Sequence, residues 1–437
     1  MVLTLIISML TIFALILFVI YKPVVNIKKI RVESFWIIAL IGAFLLILFG
    51  LITPKEIYVD LTNNEGMNPI KLLVIFLSMS GLSIILDVLG FFKVISNYVL
   101  KKAGDSQIKI FMYLYITVSI LTIFTSNDII VLTFTPIICY FAKHAKINPL
   151  PLLITEFVAA NTWSLMLMIG NPTNIYLASQ FNISFTEYLN VMFIPTLITG
   201  LFTFLLLFII FRKSLLKKIE HQNIEDVYFH HKFLVISTLT HLILCTILLT
   251  ISSYINIEMY LICLMFFLSA VIFIFVYQKV RKLKDSVLSL TFKRIPWNLM
   301  PFVISMFILV MGLNKSNITE QISVYLNFLD PLYGYGLSSF FASNLVNNIP
   351  MSVLFSEILK YISISDFNYL NKAIYSSIIG SNIGAYLTPI GALAGLMWMR
   401  QLKQEGIELS FLRFIKYGLI IAIPTILVAL ISLSFVL

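Results

Sequence analysis

The chain has 437 residues, of which 60% are hydrophobic and only 11% charged, and its 30 Lys and Arg outweigh 20 Asp and Glu to give a net charge of +10. About a quarter of the residues in an ordinary soluble domain are charged, so this composition excludes a water-soluble globule. Cys139, Cys245 and Cys263 stand singly in apolar segments without metal or disulfide spacing, which leaves them packing roles.

Apolar runs of the length that crosses about 30 Å of hydrocarbon occupy residues 2–20, 36–52, 192–211, 233–251, 259–277 and 417–437. The first has no basic residue before it and no small-x-small cleavage site, so it reads as a retained span rather than a signal peptide. When the linkers are assigned alternately to the two sides, residues 21–34, 93–109, 143–146, 212–232, 278–294 and 400–416 hold 25 of the 30 Lys and Arg. Lys55, Lys71, Lys315, Lys360 and Lys372 fall on the other side. The basic side is then cytoplasmic, which explains the net charge without nucleic acid and predicts a multi-pass plasma-membrane protein with both termini outside.

Two stretches do not simply cross. Residues 110–142 are interrupted by Thr125-Ser126-Asn127-Asp128 and flanked by Lys on both sides, which predicts a re-entrant hairpin dipping in from the cytoplasm. Residues 332–361 carry Ser343-Asn344 and Asn347-Asn348-Ile349-Pro350 at their centre and few bases, which predicts a second hairpin from outside. Each is followed by an Asn- and Gly-rich segment, 150–182 and 370–399, in which an Asn precedes a Gly by nine positions: Asn161/Gly170 and Asn382/Gly391. Proline lacks a donor and clashes with the preceding turn, so Pro172, Pro350 and Pro389, with Gly170 and Gly391, are expected to break these helices and free their termini for a solute.

Three spans, hairpin, broken helix and span therefore occur twice, in residues 1–211 and 232–437, with the last spans at 191–211 and 413–437 and a basic linker at 212–231. Each unit crosses five times, so the second copy is inverted. The predicted fold is an all-α polytopic membrane protein of two inverted repeats, about ten spans, two re-entrant hairpins and two broken helices, a transporter architecture.

The motifs Leu86-Asp87-x-x-Gly90-Phe91-Phe92, Asn127-Asp128 with Thr135-Pro136-Ile137, Pro296-Trp297-Asn298, Asn347-Asn348-x-Pro350 and Thr388-Pro389-Ile390-Gly391-x-Leu393-Ala394 with Trp398 cover nearly the whole chain. In these it resembles the arsenite and antimonite efflux permeases (the ArsB family), within a superfamily that includes dicarboxylate symporters and NhaD-type sodium/proton antiporters. The resemblance implies ten spans, two hairpins and export of a metalloid hydroxide driven by the proton gradient or with help from a partner cytosolic ATPase; related branches form homodimers. The chain departs from that family at Asn161, where an Asp is typical, and at Asn382 and Tyr386, where Asp and Lys are typical. Its Gly170-Asn171-Pro172-Thr173-Asn174 looks more like the loop of the symporter branches.

The candidate solute shell is Ser126, Asn127, Asn161, Thr162, Asn171, Thr173, Asn174, Ser343, Asn344, Asn347, Asn348, Asn382 and Thr388. Amides of this kind also glue helices together in lipid. Asp128 and Glu156 are candidates for a coupling ion: a carboxyl in a membrane is costly unless functional, and Asp128 beside the oxygens of Ser126 and Asn127 suits a proton or Na⁺. Helix capping and end-of-span placement are the structural alternatives. Asp87 is expected to pair locally with Lys93. No Lys or Arg is expected inside a span. HExxH, GxGD and GxSxG signatures are absent, so an enzyme is not expected, nor a cofactor other than the coupling ion.

Overall fold

The computed structural model describes residues 1–22, 24–27, 30–62, 68–219, 228, 229, 231–252, 254–283, 286–362 and 366–437. Part of the expected linker 212–231, namely residues 220–227 and 230, lies outside the described residues. In lipid no water can satisfy backbone N–H and C=O groups, so a chain this apolar closes them within helices.

The first half runs α1 (Val2–Tyr21), α2 (Ser34–Leu48), a short α3 (Pro54–Thr62), α4 (Pro69–Val88) and a short α5 (Phe91–Ala103). It continues with the pair α6 (Gln107–Phe124) and α7 (Asn127–His144), the pair α8 (Leu150–Trp163) and α9 (Pro172–Gln180), and α10 (Phe185–Leu215). The second half repeats the order with α11 (Lys232–Thr250), α12 (Met259–Val280), a short α13 (Val287–Arg294), α14 (Leu299–Lys315) and a short α15 (Ile318–Asn327). The pair α16 (Pro331–Val346) and α17 (Asn348–Leu359), the pair α18 (Phe367–Gly384) and α19 (Leu393–Gln404), and α20 (Phe411–Ser434) complete it. Among the described residues one β-hairpin, β1 (Val24–Ile27) against β2 (Ile30–Glu33) with Val24 opposite Glu33, joins α1 to α2. Eight helical stretches among the described residues are long and apolar enough to cross a bilayer. The fold is an all-α polytopic membrane protein.

Contacts between the halves come in exchanged pairs. α2 packs on α14 and α12 on α4; α7 packs on α19 and α17 on α9; α10 packs on α20. This reciprocity is what a twofold relation between two similar units produces, and it brings both broken pairs, α8/α9 and α18/α19, to the centre.

The structure corrects several local expectations. The first hairpin breaks only at Thr125 and Ser126; Asn127 and Asp128 already form the first turn of α7. In the second, Ser343 and Asn344 lie inside α16, and the break is the single residue Asn347, at φ 75° and ψ 154°. Pro172 and Pro350 do not break helices but open them, since the first turn of a helix needs no N–H partner. Gly170, Pro389 and Gly391 do lie outside the α-helices, Gly170 in a 3₁₀ turn over Met168–Gly170. Lys71 belongs to the first turn of α4, buried and paired with Glu258 at 2.5 Å. Asp87 pairs not with Lys93 but with Arg294 on α13, across the halves.

Candidate functional site

The first break forms where α8 ends at Trp163 and α9 starts at Pro172. Asn171 caps α9, its Oδ1 accepting from the Thr173 N–H at 3.2 Å and from Thr173 Oγ1 at 3.1 Å. A Cβ on Gly170 would sit 2.3 Å from the Ser164 carbonyl oxygen, so only glycine lets the chain double back this tightly. Asn161, in the last turn of α8, donates to the Phe157 carbonyl at 2.8 Å and accepts from Asn127 Nδ2 at 3.0 Å. That bond seats the first hairpin tip on the first break.

Asn382, near the end of α18, is the hub of the cluster. Its Oδ1 accepts from Ser164 Oγ and from Asn171 Nδ2, both at 2.9 Å. Its Nδ2 donates to Asn174 Oδ1 at 2.6 Å and to the Ile378 carbonyl at 2.9 Å. Two acceptor and two donor positions exhaust a carboxamide, so all four positions of Asn382 face groups of the two halves, the one Ser164 hydroxyl proton being shared with the Asn161 carbonyl at 2.8 Å. Asn174 in turn donates to the Ser164 carbonyl at 2.8 Å. Thr162 Oγ1 lies 3.4 Å from the Tyr386 hydroxyl beside this network. Asn127, Asn161, Ser164, Asn171, Asn174 and Asn382 are all buried, and their side chains carry no formal charge.

The remaining members of the expected shell form a second, separate network. Asn344 Oδ1 accepts from the Thr388 N–H at 3.1 Å and from Thr388 Oγ1 at 2.8 Å, while its Nδ2 donates to the Gly384 carbonyl at 3.0 Å. Asn347 Nδ2 donates to the Ile390 carbonyl at 3.0 Å, and the Asn348 N–H to the Gly391 carbonyl at 3.1 Å. Ser343 Oγ donates to the Phe340 carbonyl, one turn back in its own helix. These bonds clasp the second hairpin onto the second break; none of them reaches Asn382.

The two candidate acids are apart. Asp128 is half-buried at the start of α7 and makes no hydrogen bond or ion pair among the described residues. Beside it Ser126 Oγ and Asn127 Oδ1 are buried without a partner, so the first tip holds three uncommitted oxygen groups. Glu156 is fully buried on α8 and meets Thr135 Oγ1 of α7 at 3.1 Å and 3.0 Å.

The family described as citrate transporter matches residues 15–365. The chain belongs to the citrate transporter family. It is similar to the putative arsenical pump membrane protein of Bacillus subtilis, 27% identical over 427 residues that cover 91% of this chain and 93% of that protein. To the arsenical pump membrane protein of Escherichia coli strain K12 it is 25% identical over 414 residues, 91% and 92% of the two chains. To a 46 kDa membrane protein of Mycobacterium leprae it is 22% identical over 406 residues, 90% and 91% of the two. These relatives bear out the resemblance to the arsenite permeases drawn from the motifs, and the chain is a secondary membrane transporter of that type.

A transporter needs water to reach its site, and this citrate transporter family member has a chamber of about 620 Å³ between α3, α9, α14 and α17. Its wall includes Glu56, Tyr176, Asn314, Lys315, Glu357 and Lys360. The charges pair off: Lys315 with Glu56 at 2.7 Å, Lys360 with Glu357 at 2.5 Å, and Asn314 Nδ2 donating to Glu357 at 2.8 Å. Hydrogen bonds from Lys315 and from Thr53 hold the Glu56 carboxyl down at about 2. Tyr176 follows Asn174 by two positions on α9, so one short helix separates the chamber from the amide cluster.

Sequence reasoning passed over this chamber because its residues come from four separate helices, and Lys315 and Lys360 read only as exceptions on the base-poor side. It also passed over Ser164 and Thr135, whose hydroxyls look like ordinary helix residues until their partners are in place.

Proposed function

We propose that the chain exports a neutral metalloid hydroxide of the arsenite and antimonite class by alternating access, binding it at the cluster around Asn382, on the energy of a proton or sodium gradient. The observation that carries this reading is a buried, wholly uncharged set of amides and hydroxyls shared by both broken helices. Arsenous acid is neutral at physiological pH and presents three O–H groups, which such a set can match by exchanging bonds it now makes internally. A citrate-like anion would find no basic side chain there. The named activity of the Bacillus subtilis and Escherichia coli relatives agrees.

The reading includes two inverted halves with hairpins opening to opposite sides and both termini outside. Its support is the repeated element order, the exchanged contacts and the charge count. α8 rises about 1.5 Å per residue, so Asn161, eleven residues from Leu150, stands about 16 Å along it, near the middle of the hydrocarbon, and Asn127 stands beside it. The chamber is the outer half of the path. A homodimer and a cytosolic ATPase belong to the proposal on the resemblance alone, and the chain itself is not an enzyme.

A second reading, sodium-coupled carboxylate transport, is favoured by the family's description and by the uncommitted oxygens of Ser126, Asn127 and Asp128. Inside-out vesicles from transporter-deficient cells decide between them. Gradient-driven uptake of arsenite or antimonite, but not citrate, is expected; citrate uptake that depends on Na⁺, without metalloid uptake, would replace the first reading with the second.

A further inference from the structure

Glu156 is the one fully buried carboxyl among the described residues, no Lys or Arg pairs with it, and its hydrogen bonds do not balance if it is ionised. Thr135 has a single hydroxyl proton. Its Oγ1 lies 2.7 Å from the Val131 carbonyl and about equally far, 3.1 Å and 3.0 Å, from the two Glu156 oxygens. If that proton goes to Val131, the short bond, no donor within hydrogen-bonding geometry is left for an ionised Glu156. If Glu156 itself carries a proton, it donates to Thr135 Oγ1 and Thr135 donates to Val131, so both hydroxyl protons have an acceptor.

A second observation concerns what would receive the carboxylate once the proton leaves. Trp398, on α19 of the other half, is buried with its indole stacked on Phe157 at 4.8 Å between ring centres and edge-on to Phe414 at 5.8 Å. Its Nε1–H faces the Glu156 carboxyl yet lies outside hydrogen-bonding geometry and has no other partner. A buried N–H without a partner is unfavourable, and a small approach of α19 to a charged Glu156 would pair it. The other groups around α8 are committed or distant. On α7, Cys139 is a titratable neighbour, with Glu405 also near Cys139. Tyr115 on α6 is bonded to Gly200, Thr203 and Trp163, Tyr188 on α10 donates to the Leu165 carbonyl, and Asn382 on α18 is committed to Asn171 and Asn174. From α19, Arg400 turns to Glu33, and Gln401 donates to the Leu132 carbonyl. No Lys or Arg pairs with Glu156 among the described residues.

We infer that Glu156 is a proton-coupling residue, holding its proton against Thr135 in this structure and trading that bond for the Trp398 N–H when it releases the proton, so that proton load sets the position of α19 against α8. This rests on the transport reading above and names its driving ion. The step balances simply: one proton leaves the carboxyl for water, and one N–H···O⁻ bond replaces one O–H···O bond. Glu156→Gln keeps a donor for Thr135 but has no proton to release. It should insert and unfold like the parent and retain solute exchange between equal arsenite pools, while losing stimulation by an acid-inside pH gradient. Trp398→Phe keeps the ring stack and removes the N–H; proton release should then require higher pH.

Infrared difference spectra of the purified protein, with no solute present, read the proton directly. A protonated-carboxyl band that is lost in Glu156→Gln and persists to higher pH in Trp398→Phe is expected. Absence of that band in the parent at neutral pH, or its survival in Glu156→Gln, overturns the inference even if arsenite proves to be the wrong solute. Normal pH-gradient stimulation of Glu156→Gln overturns it as well, whereas failure of the parent to move arsenite at all sinks only the substrate reading.

Discussion

The two broken helices share a frame and differ in what they load onto it. Asn161/Gly170 and Asn382/Gly391 have the same spacing, and each glycine admits the carbonyl of a residue at the end of the preceding helix: Ser164 at 2.3 Å and Gly384 at 2.5 Å from the place a Cβ would take. Yet Asn161 bonds only its own hairpin and helix, whereas Asn382 reaches across to Ser164, Asn171 and Asn174. Five residues before Asn161 stands Glu156; five before Asn382 stands Ser377, which merely donates to the Ala373 carbonyl at 2.7 Å. α9 turns Tyr176 to the chamber of about 620 Å³, while α19 is sealed by the Trp398–Phe157 stack. A duplicated scaffold thus sets up two related positions, and in the proposed cycle the unequal side chains give one half the solute hub and the other the titrating carboxyl.

The sharpest way to break this comparison is at the two asparagines. Asn382→Ala leaves Asn171 Nδ2 without a partner and removes one bond each from Ser164 Oγ and Asn174 Oδ1, which keep the Asn161 carbonyl at 2.8 Å and Thr173 Oγ1 at 3.5 Å. At about 1–3 kcal/mol for the orphaned amide and about 1 kcal/mol for each other bond lost, it should cost about 3 kcal/mol or more and abolish transport. Asn161→Ala orphans Asn127 Nδ2 but strips no further cross-helix bond, and should cost about 1–2 kcal/mol less; equal losses in detergent unfolding would show that the hub is not at Asn382. The glycines test the shared frame instead. Gly170→Ala and Gly391→Ala each press a methyl against a backbone oxygen, and similar destabilisation of about 1–3 kcal/mol is expected in both. A silent change at one of them would mean that the two breaks close differently.

Asp128→Asn probes the hairpin tip. Gradient-driven uptake should be lost while stability shifts by no more than about 0.5 kcal/mol, because the Asp128 side chain holds no partner. Normal coupled uptake would leave the tip oxygens without a role in coupling. The smallest effect belongs to the chamber rim. The Glu56 carboxyl is held down at about 2 against an ordinary 4.5, so the stabilisation from its Lys315 pair is present above 4.5 and is lost as pH falls from there toward 2. The pair is exposed and screened by salt. Lys315→Met should therefore lower the unfolding temperature slightly at neutral pH and flatten its fall over that acid range to the same small extent.

Apolar runs as long as the hydrocarbon is thick, charge gathered on one side and a motif order that occurs twice were enough to read an all-α polytopic transporter, its hairpins and its broken segments from the residues alone, because lipid leaves a chain few ways to hide its backbone. Periodicity and spacing could not place the breaks to the residue, since whether a proline ends one helix or opens the next depends on which carbonyls lie nearby. Nor could they divide the asparagines: which amide meets which is a matter of distances of about 3 Å between segments some 200 residues apart. Packing alone decided that Asn382 gathers the first break, that Asn344 and Asn347 clasp the second, and that Glu156 lies between Thr135 and Trp398. Hydrogen-bond partnership is a short-range property of the folded chain, whereas hydrophobic length is already a property of the unfolded one.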